Sequence, residues 1–382
     1  MKKFSKIIDK IVEASSIRYN NIVYELLKRK KDIIVLSLGE AIFKLPIFSF
    51  KKLPQEKIHH YSHSKGIIEL REKISKYFLK KYHVKFDPEK EIIITAGSKA
   101  VIQMIFMSIL NPKDEVIIFE PYWVSFSEQI KLNNAKPVRI PHYSSIFEIE
   151  KYITKRTKCI VINNPHNPTG KVYSKKEIKF LLKVASKRKI YIISDEVYSD
   201  FVPENKSFTS LGSFNQKKNV ILVNSLSKNY GISGWRLGYC IANKQMINQI
   251  IKLNQHIITC APTILQYYAA EYFDEILKIT KPQIKQVLKT RNKTCLYLDS
   301  LGIKYLKGEA TWYIFLSINA SRLNSEDFCA ILLKKYYVSC VPGRGYGKSC
   351  DKFIRIAVGT EPWKRIASGA DNIKKLIDDT SK

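Results

Sequence analysis

The segment NSLSKNYGISGWRLGY, residues 224–239, places Lys228 in a glycine-rich stretch directly after a short apolar run. A lysine in such a loop is ordinarily a solvated side chain, so this segment by itself predicts no function. Its position after an apolar run is nevertheless what a binding site would show, because ligands of open α/β sheets bind outside the carboxyl ends of the strands. The neighbouring sequence therefore has to show whether such a sheet is expected.

Several short apolar runs, each bounded by Gly, Pro, Asn or Asp, alternate with helical patterns. They are continuous rather than alternating, which is typical of strands buried on both faces. The runs are EIIIT (91–95), EVIIF (115–119), CIVIN (159–163), IYIIS (190–194), NVILV (219–223) and GYCIA (238–242). The alternation predicts an α/β fold with a mostly parallel central sheet covered by helices.

Polar clusters follow three more of these runs. They are AGSKA (96–100), NNPHNPTG (163–170) and SDEVY (194–198). Because the carboxyl ends of neighbouring parallel strands open onto one crevice, we expect the four clusters to meet there.

The second half of the chain changes character. Long helical patterns at 244–258, 262–278 and 281–300 precede a second set of strands at 311–318, 338–341 and 352–358, and a closing helix runs from Pro362 to about Asp379. This order predicts a large central domain, residues 47–280, beside a smaller α+β domain formed by both chain ends, residues 1–46 and 281–382.

Composition is that of a globular protein, with 45% hydrophobic residues among 382. Seven cysteines form no C-x-x-C pair, which favours reduced thiols in a cytoplasmic protein. Asp9 and Glu13 interrupt the apolar region after the basic start, which argues against a secretory signal. The longest apolar stretch, residues 100–110, is too short to span a membrane.

The net charge of +31 raises nucleic-acid binding as an alternative. The lysines are scattered, however, and no basic helix or aromatic RNA-binding signature accompanies them. We therefore expect a solvated lysine-rich surface and no nucleic-acid partner. A non-catalytic basic binding protein is kept as a remote alternative.

Segment 224–239 resembles the cofactor-lysine signature of the class I/II aminotransferases, which are pyridoxal-phosphate enzymes of fold type I, similar to aspartate aminotransferase. The resemblance runs from about residue 15 to the C-terminus, with the motifs in family order. It implies that pyridoxal 5'-phosphate forms a Schiff base with Lys228, and that Ser225 and Arg236 bind its phosphate. Backbone groups of Gly97, Ser98 and Lys99 would join them at a helix N-terminus, where an anion is favoured.

Physical chemistry supports the other roles that the resemblance implies. A neutral lysine attacks an aldehyde, and it serves as a base once the substrate amine displaces it. A pyridine ring withdraws electrons best when its nitrogen is protonated, which calls for a buried carboxylate such as Asp195. Tyr198 and Asn167 resemble the pair that hydrogen-bonds the phenolic oxygen of the cofactor. Arg355 in KFIRIAVG resembles the arginine that grips the substrate carboxylate.

Three further segments complete the resemblance. PYWVSF (121–126) implies that Trp123 stacks on the cofactor, with a core aromatic as the alternative. YSHSKGIIELREKI (61–74) implies that Tyr61 reaches the phosphate of a neighbouring subunit, and therefore a homodimer. Gly39 in LSLGEAIF (36–43) matches a family segment at the mouth of the substrate site, although Ala41 and Ile42 depart from the family pattern. The resemblance also implies that Trp123 and Asn167 contact the substrate. The nearby histidines have no completing ligand at suitable spacing, so no metal site is expected.

The function expected from these residues is a ping-pong transfer of an amino group from an amino acid to a 2-oxo acid. A lyase or synthase with the same cofactor, such as a carbon–sulfur lyase, shares every motif and stays open as the alternative. Acidic, aromatic and sulfur-containing substrates all remain candidates, because the residues that grip the side chain come from loops.

Overall fold

A computed structural model describes residues 4–214 and 218–381. The α-helices are α1 (Ser15–Lys28), α2 (Ile68–Tyr82), α3 (Ser98–Ile109), α4 (Val124–Leu132), α5 (Lys175–Arg188), α6 (Leu226–Asn229), α7 (Lys244–Ile257), α8 (Thr263–Glu271), α9 (Phe273–Ser300), α10 (Ser325–Tyr336) and α11 (Trp363–Asp379). Residues 1–3 and 382 of the expected small domain lie outside the described residues.

The strands form three sheets within the described part of the chain. They are β1 (Ile34–Val35), β2 (Ile92–Thr95), β3 (Glu115–Phe119), β4 (Lys136–Ile140), β5 (Thr157–Asn163), β6 (Tyr191–Asp195), β7 (Val220–Ser225), β8 (Gly238–Ile241), β9 (Tyr313–Ser317), β10 (Val338–Ser339), β11 (Val341–Pro342) and β12 (Phe353–Ala357).

The central sheet has the order β2-β8-β7-β6-β5-β3-β4. It is parallel except for β8, which runs antiparallel to both of its neighbours. The predicted mostly parallel sheet is thus confirmed. The sequence did not predict β4, whose Lys136, Pro137 and Arg139 are tolerated because it is an edge strand and only its last residue is buried.

Helices cover both faces of this sheet, which explains its continuous apolar runs. In β2, Ile92 and Ile94 pack in one core with Leu70 of α2, whereas Ile93 packs in a second core with Val101 of α3. Successive side chains of a strand point to opposite faces, so every position of such a strand has to be apolar.

The two smaller sheets join distant parts of the chain. β1, near the N-terminus, pairs in parallel with β10, and the antiparallel sheet β11-β12-β9 lies in the last fifth of the sequence. A third core contains Leu36, which follows β1, together with Phe328 of α10, Ile354 of β12 and Ile366 of α11. No helix of the described residues is long and apolar enough to cross a membrane.

One predicted helix boundary is wrong. The sequence predicted a break between 278 and 281, but α9 runs unbroken from Phe273 and contains Pro282. Buried Ile276, Thr280 and Ile284 lie on both sides of the proline. Packing along this face outweighs the loss of one backbone hydrogen bond at Pro282.

Candidate active site

The ends of three neighbouring strands bring the predicted polar clusters together. Asn163 at the end of β5 lies opposite Asp195 at the end of β6, and Asp195 lies opposite Val223 near the end of β7. Parallel strands in this register release their following loops at the same edge of the sheet. The loops that carry the predicted polar clusters therefore leave the sheet at one edge.

Lys228 lies on α6, which begins directly after β7. The Oγ of Ser225 accepts a hydrogen bond from the amide of Ser227 at 3.3 Å and caps this short helix. The Lys228 ammonium donates to the carbonyl of Gly39 at 2.8 Å and lies 5.5 Å from the ring centroid of Trp312. The chain thus holds this amine between its central sheet and its N-terminal segment.

Burial is the main cause that lowers the pKa of Lys228 to about 8, with the charge of Glu40 opposing it. A fraction of the amine is therefore neutral near physiological pH. A cavity of about 180 Å³ adjoins the lysine. It is lined by Glu40, Ala41, Ile42, Phe43, Ser227, Lys228, Gly231, Ser233 and Trp312.

Asp195 is a buried carboxylate, with 4% of its surface exposed. Burial raises its pKa to about 7. A hydrogen bond from the amide of Val197 at 3.3 Å acts in the opposite direction, and the charge of Lys228 does so to a smaller extent. It forms no ion pair within the described residues. Its neighbour Glu196 has different partners, namely the hydroxyls of Ser194 and Ser210 and a backbone amide.

Asn167 and Tyr198 are brought together from different loops. The side-chain amide of Asn167 donates to the Tyr198 hydroxyl at 3.4 Å, and both residues are buried. The Oδ1 atom of Asn167 is buried without a hydrogen-bond partner among the described residues. The pair therefore presents polar atoms that the protein itself satisfies only in part.

Gly97, Ser98 and Arg236 meet at the N-terminus of α3. A β-carbon on Gly97, whose φ is +86°, would lie 2.4 Å from the Arg236 guanidinium, and one on Gly238 would lie 2.4 Å from the backbone of Gly97 and Ser98. Glycine is thus required for this close approach. The first amides of a helix have no partner within it, so these donors and the guanidinium form a cradle suited to an anion.

Three more predicted residues lie near this helix N-terminus: Ser225, Lys99 and, next to Lys99, Trp123. Ser225 is opposite Gly238 in the sheet. The Lys99 ammonium lies 5.2 Å from the ring centroid of Trp123, which is half-buried at the start of α4. Lys99 is exposed, but partial burial of its ammonium group still lowers its pKa, and the charge of Arg236 lowers it further.

Arg355 is buried on β12, with 3% of its surface exposed. One guanidinium nitrogen donates to the carbonyl of Ser37 at 2.6 Å, and the group lies 4.6 Å from the ring centroid of Tyr313. Its Nε has no hydrogen-bond partner, and Arg355 forms no salt bridge within the described residues. This buried cation is therefore available to an anionic ligand.

The structure does not place Tyr61 in the site of its own chain. Its side chain is 85% exposed and lines an open groove of about 630 Å³ together with His60, His63 and Tyr267. No set of three or more side chains suited to a metal ion occurs in residues 4–214 and 218–381. His166 is buried and bonded to Thr169, and burial lowers its pKa to about 3.

Sequence reasoning missed two aromatic residues, Trp312 and Tyr313. Trp312 contacts Lys228, and the Tyr313 hydroxyl bonds to Tyr198 and to Gly39. Both residues belong to a predicted apolar strand, where aromatic side chains ordinarily indicate core packing. No local signal distinguishes them from core residues.

Comparison with known proteins agrees with this geometry. The profile of the aminotransferase class I and II family matches residues 31–366. The chain is 31% identical to aromatic-amino-acid aminotransferase 2 of Thermococcus litoralis, covering 93% of this chain and 94% of the relative. It is 30% identical to aspartate aminotransferase of Pyrococcus abyssi, covering 96% of both chains.

Among solved structures, the aromatic aminotransferase of Pyrococcus horikoshii superposes with a TM-score of 0.85 at 28% identity, over 93% of this chain and 98% of that one. The chain therefore belongs to the class I and II aminotransferases and has their fold type I architecture. It is an enzyme that transfers amino groups, and the alternative of a non-catalytic binding protein is wrong. The family depends on pyridoxal phosphate.

Proposed function

We propose that this aminotransferase carries pyridoxal 5'-phosphate on Lys228. The observation that supports this most strongly is that two buried groups lie close enough to interact electrostatically: the partly neutral amine of Lys228 and the carboxylate of Asp195, which forms no ion pair among the described residues. The cofactor has the complementary groups, which are an aldehyde for the amine and a protonated ring nitrogen for the carboxylate. Its phosphate matches the cradle of Gly97, Ser98 and Arg236, where a β-carbon would fill the space.

When bound, the cofactor supplies an electron sink for the α-carbon of the substrate. The residues of this chain bind it, orient it and move protons. Lys228 holds the cofactor and carries a proton to and from the α-carbon, and Asp195 keeps the ring nitrogen charged. Tyr198 and Asn167 donate to the phenolic oxygen. The phosphate and ring are held by Gly97, Ser98, Lys99, Trp123, Ser225 and Arg236.

We propose that Arg355 binds the substrate α-carboxylate, because it is buried, cationic and lacks an acidic partner among the described residues. A guanidinium can grip a carboxylate through two parallel hydrogen bonds. Gly39, Trp123 and Asn167 line the remaining substrate space. Since the two relatives are named for aromatic amino acids and for aspartate, a panel of acidic, aromatic and sulfur-containing donors tests the preference.

The test is spectroscopic. The purified protein loaded with pyridoxal phosphate should shift its visible band when an amino acid is added, and a 2-oxo acid should restore it. A Lys228→Ala variant that responds in the same way would contradict the proposal. Release of ammonia and pyruvate from a cysteine conjugate without a 2-oxo acid would indicate the lyase, which none of the reported comparisons favours.

We further propose a cytoplasmic homodimer whose large domain, 47–280, holds the cofactor, with both chain ends forming the smaller domain. Its seven unpaired cysteines support a reducing compartment. The exposed Tyr61 supports a dimer in which this residue serves the partner's site. Co-refolding equal amounts of Tyr61→Ala and Lys228→Ala chains should add about a quarter of wild-type activity to any residual activity of the Tyr61→Ala dimers, because half of the dimers then contain one intact site. No recovery, with dimers present, would contradict a shared site.

A further inference from the structure

Tyr313 occupies a central position that the roles above leave unexplained. It lies at the start of β9 with 1% of its surface exposed. Its hydroxyl is 3.1 Å from the hydroxyl of Tyr198 and donates to the carbonyl of Gly39 at 3.1 Å. Tyr313 thus touches one residue proposed for the cofactor and one proposed for the substrate.

The direction of these hydrogen bonds follows from the number of hydrogens available. A carbonyl oxygen only accepts, so the single hydroxyl hydrogen of Tyr313 is given to Gly39. The Tyr198 hydroxyl must then donate to the oxygen of Tyr313, while it accepts from Asn167. Tyr313 therefore competes for the one hydrogen that Tyr198 has to offer.

The ring of Tyr313 makes a second contact. The Arg355 guanidinium carbon lies 4.6 Å from the ring centroid, within the range of a cation–π interaction. The backbone at Tyr313 is itself fixed, because buried Arg291 donates to its carbonyl at 3.2 Å and to the carbonyl of Thr169 at 3.3 Å. This link ties β9 to the loop that carries Asn167.

We propose that Tyr313 is a positioning residue that couples the two halves of the site. Its ring fixes the plane of the Arg355 guanidinium, and its hydroxyl sets how strongly Tyr198 donates to the phenolic oxygen of the cofactor. This inference rests on the proposed function, since it assumes that the cofactor and the substrate carboxylate bind where stated above.

Two substitutions separate the ring from the hydroxyl. Tyr313→Phe keeps the ring and removes the competing acceptor, so Tyr198 can donate fully to the cofactor and favour its unprotonated form. We expect the pH midpoint of the visible band of the bound cofactor to fall by about half a unit to one unit. The KM for the amino donor should stay within about twofold of the wild-type value, because the cation–π contact is retained.

Tyr313→Leu removes both contacts. It should shift the midpoint similarly and, in addition, raise KM roughly threefold to thirtyfold with a smaller change in kcat. Tyr305→Phe is the matched control, because it removes a hydroxyl that bonds to Asp299 elsewhere on the chain. Thermal unfolding of each variant establishes that it is folded.

The inference is overturned if Tyr313→Phe leaves the midpoint unchanged or raises it, or if Tyr313→Leu changes only thermal stability. Failure of the proposed function is distinguishable, because the wild-type protein would then show no visible band that responds to amino acids. A responsive wild type with an unshifted Tyr313→Phe variant contradicts the role of Tyr313 alone.

Discussion

Asp195 and Asp200 lie five positions apart in sequence and are both largely buried, yet their hydrogen-bond and ion-pair partners differ. Asp200 accepts hydrogen bonds from Tyr77 at 2.8 Å and from Asn229 at 2.5 Å, and it forms an ion pair with Lys81. Burial works against its ionisation, but these partners outweigh it and lower its pKa. Asp195 forms no such ion pair among the described residues, and burial raises its pKa to about 7.

Two buried arginines show the same contrast. Arg291 donates to the carbonyls of Tyr313 and Thr169, so its charge serves the fold. Arg355 donates to the carbonyl of Ser37, and its Nε has no hydrogen-bond partner within the described part of the chain. An uncompensated buried charge destabilises a protein, so a buried guanidinium with an unused donor is expected to receive its partner from a ligand. The contrast separates the residues that build the fold from those that await a ligand.

The largest effect is expected from the two aspartates. Asp195→Ala should lower kcat/KM about a thousandfold, because the ring nitrogen loses the carboxylate that keeps it charged, while thermal stability stays the same or rises. Asp200→Ala should instead lower the free energy of unfolding by about 2–4 kcal/mol, because the Lys81 ammonium is left unpaired. Steady-state kinetics and denaturant unfolding of both variants check this. Equal losses of stability would remove the distinction.

The two arginine variants should differ from each other in the same way as the two aspartate variants. Arg355→Met is expected to raise KM for the amino donor about a hundredfold through loss of two charge-assisted hydrogen bonds, with the unfolding temperature nearly unchanged. Arg291→Met should change KM only a few-fold and lower stability, because two buried carbonyls lose their donors. Kinetics with donor titration and thermal unfolding distinguish the two. A large KM effect confined to Arg291→Met would reverse the assignment.

The lysines extend the comparison to pH. Lys81 has a carboxylate partner, whereas Lys228 donates to a neutral carbonyl and has its pKa lowered to about 8. Only the neutral amine attacks an aldehyde, so the rate at which the cofactor-free protein binds pyridoxal phosphate should rise about tenfold per pH unit below 8 and level off above it. Stopped-flow absorbance from pH 6 to 10 tests this. A rate still rising at pH 10 would indicate an unperturbed lysine.

The last comparison concerns the pH dependence of stability without cofactor. The pKa of Asp195 is raised from 3.8 to about 7, so its protonated form stabilises the fold at low pH, and this contribution is lost as pH rises through 7. Relative to Asp195→Asn, the wild-type protein should lose about 1.4 kcal/mol of unfolding free energy per pH unit between pH 4 and 7. Bound cofactor should abolish this slope. Asp200, whose pKa is lowered from 3.8, should give a slope of the opposite sign relative to Asp200→Asn, and only below about pH 4.

The central sheet was predictable because its inner strands are covered on both faces, which makes each of them a continuous apolar run. The edge strand β4 was missed because only its last residue, Ile140, is buried, so its sequence is not a continuous apolar run. Lys228, Asp195, Asn167 and Gly97 were found because each follows such a run and therefore lies at one edge of the sheet. The resemblance to a known family then supplied roles for these residues.

What the sequence could not show depends on contacts between distant positions. Tyr313 bonds to Tyr198 across 115 positions, and Arg291 to Thr169 across 122. Asp195 and Asp200 look equivalent in sequence, since only the packed chain reveals which of them receives Lys81. The absence of a partner is a property of the fold, and no local pattern encodes it.

The most direct test is to identify the lysine that carries the cofactor. The protein is loaded with pyridoxal phosphate, reduced with borohydride, digested and analysed by mass spectrometry, with Lys228→Ala as the control for reaction at surface lysines. We predict one label per chain, on the peptide that contains Lys228, and none at matched peptides of the control. A label spread over other lysines, with Lys228 unmodified, would contradict the account.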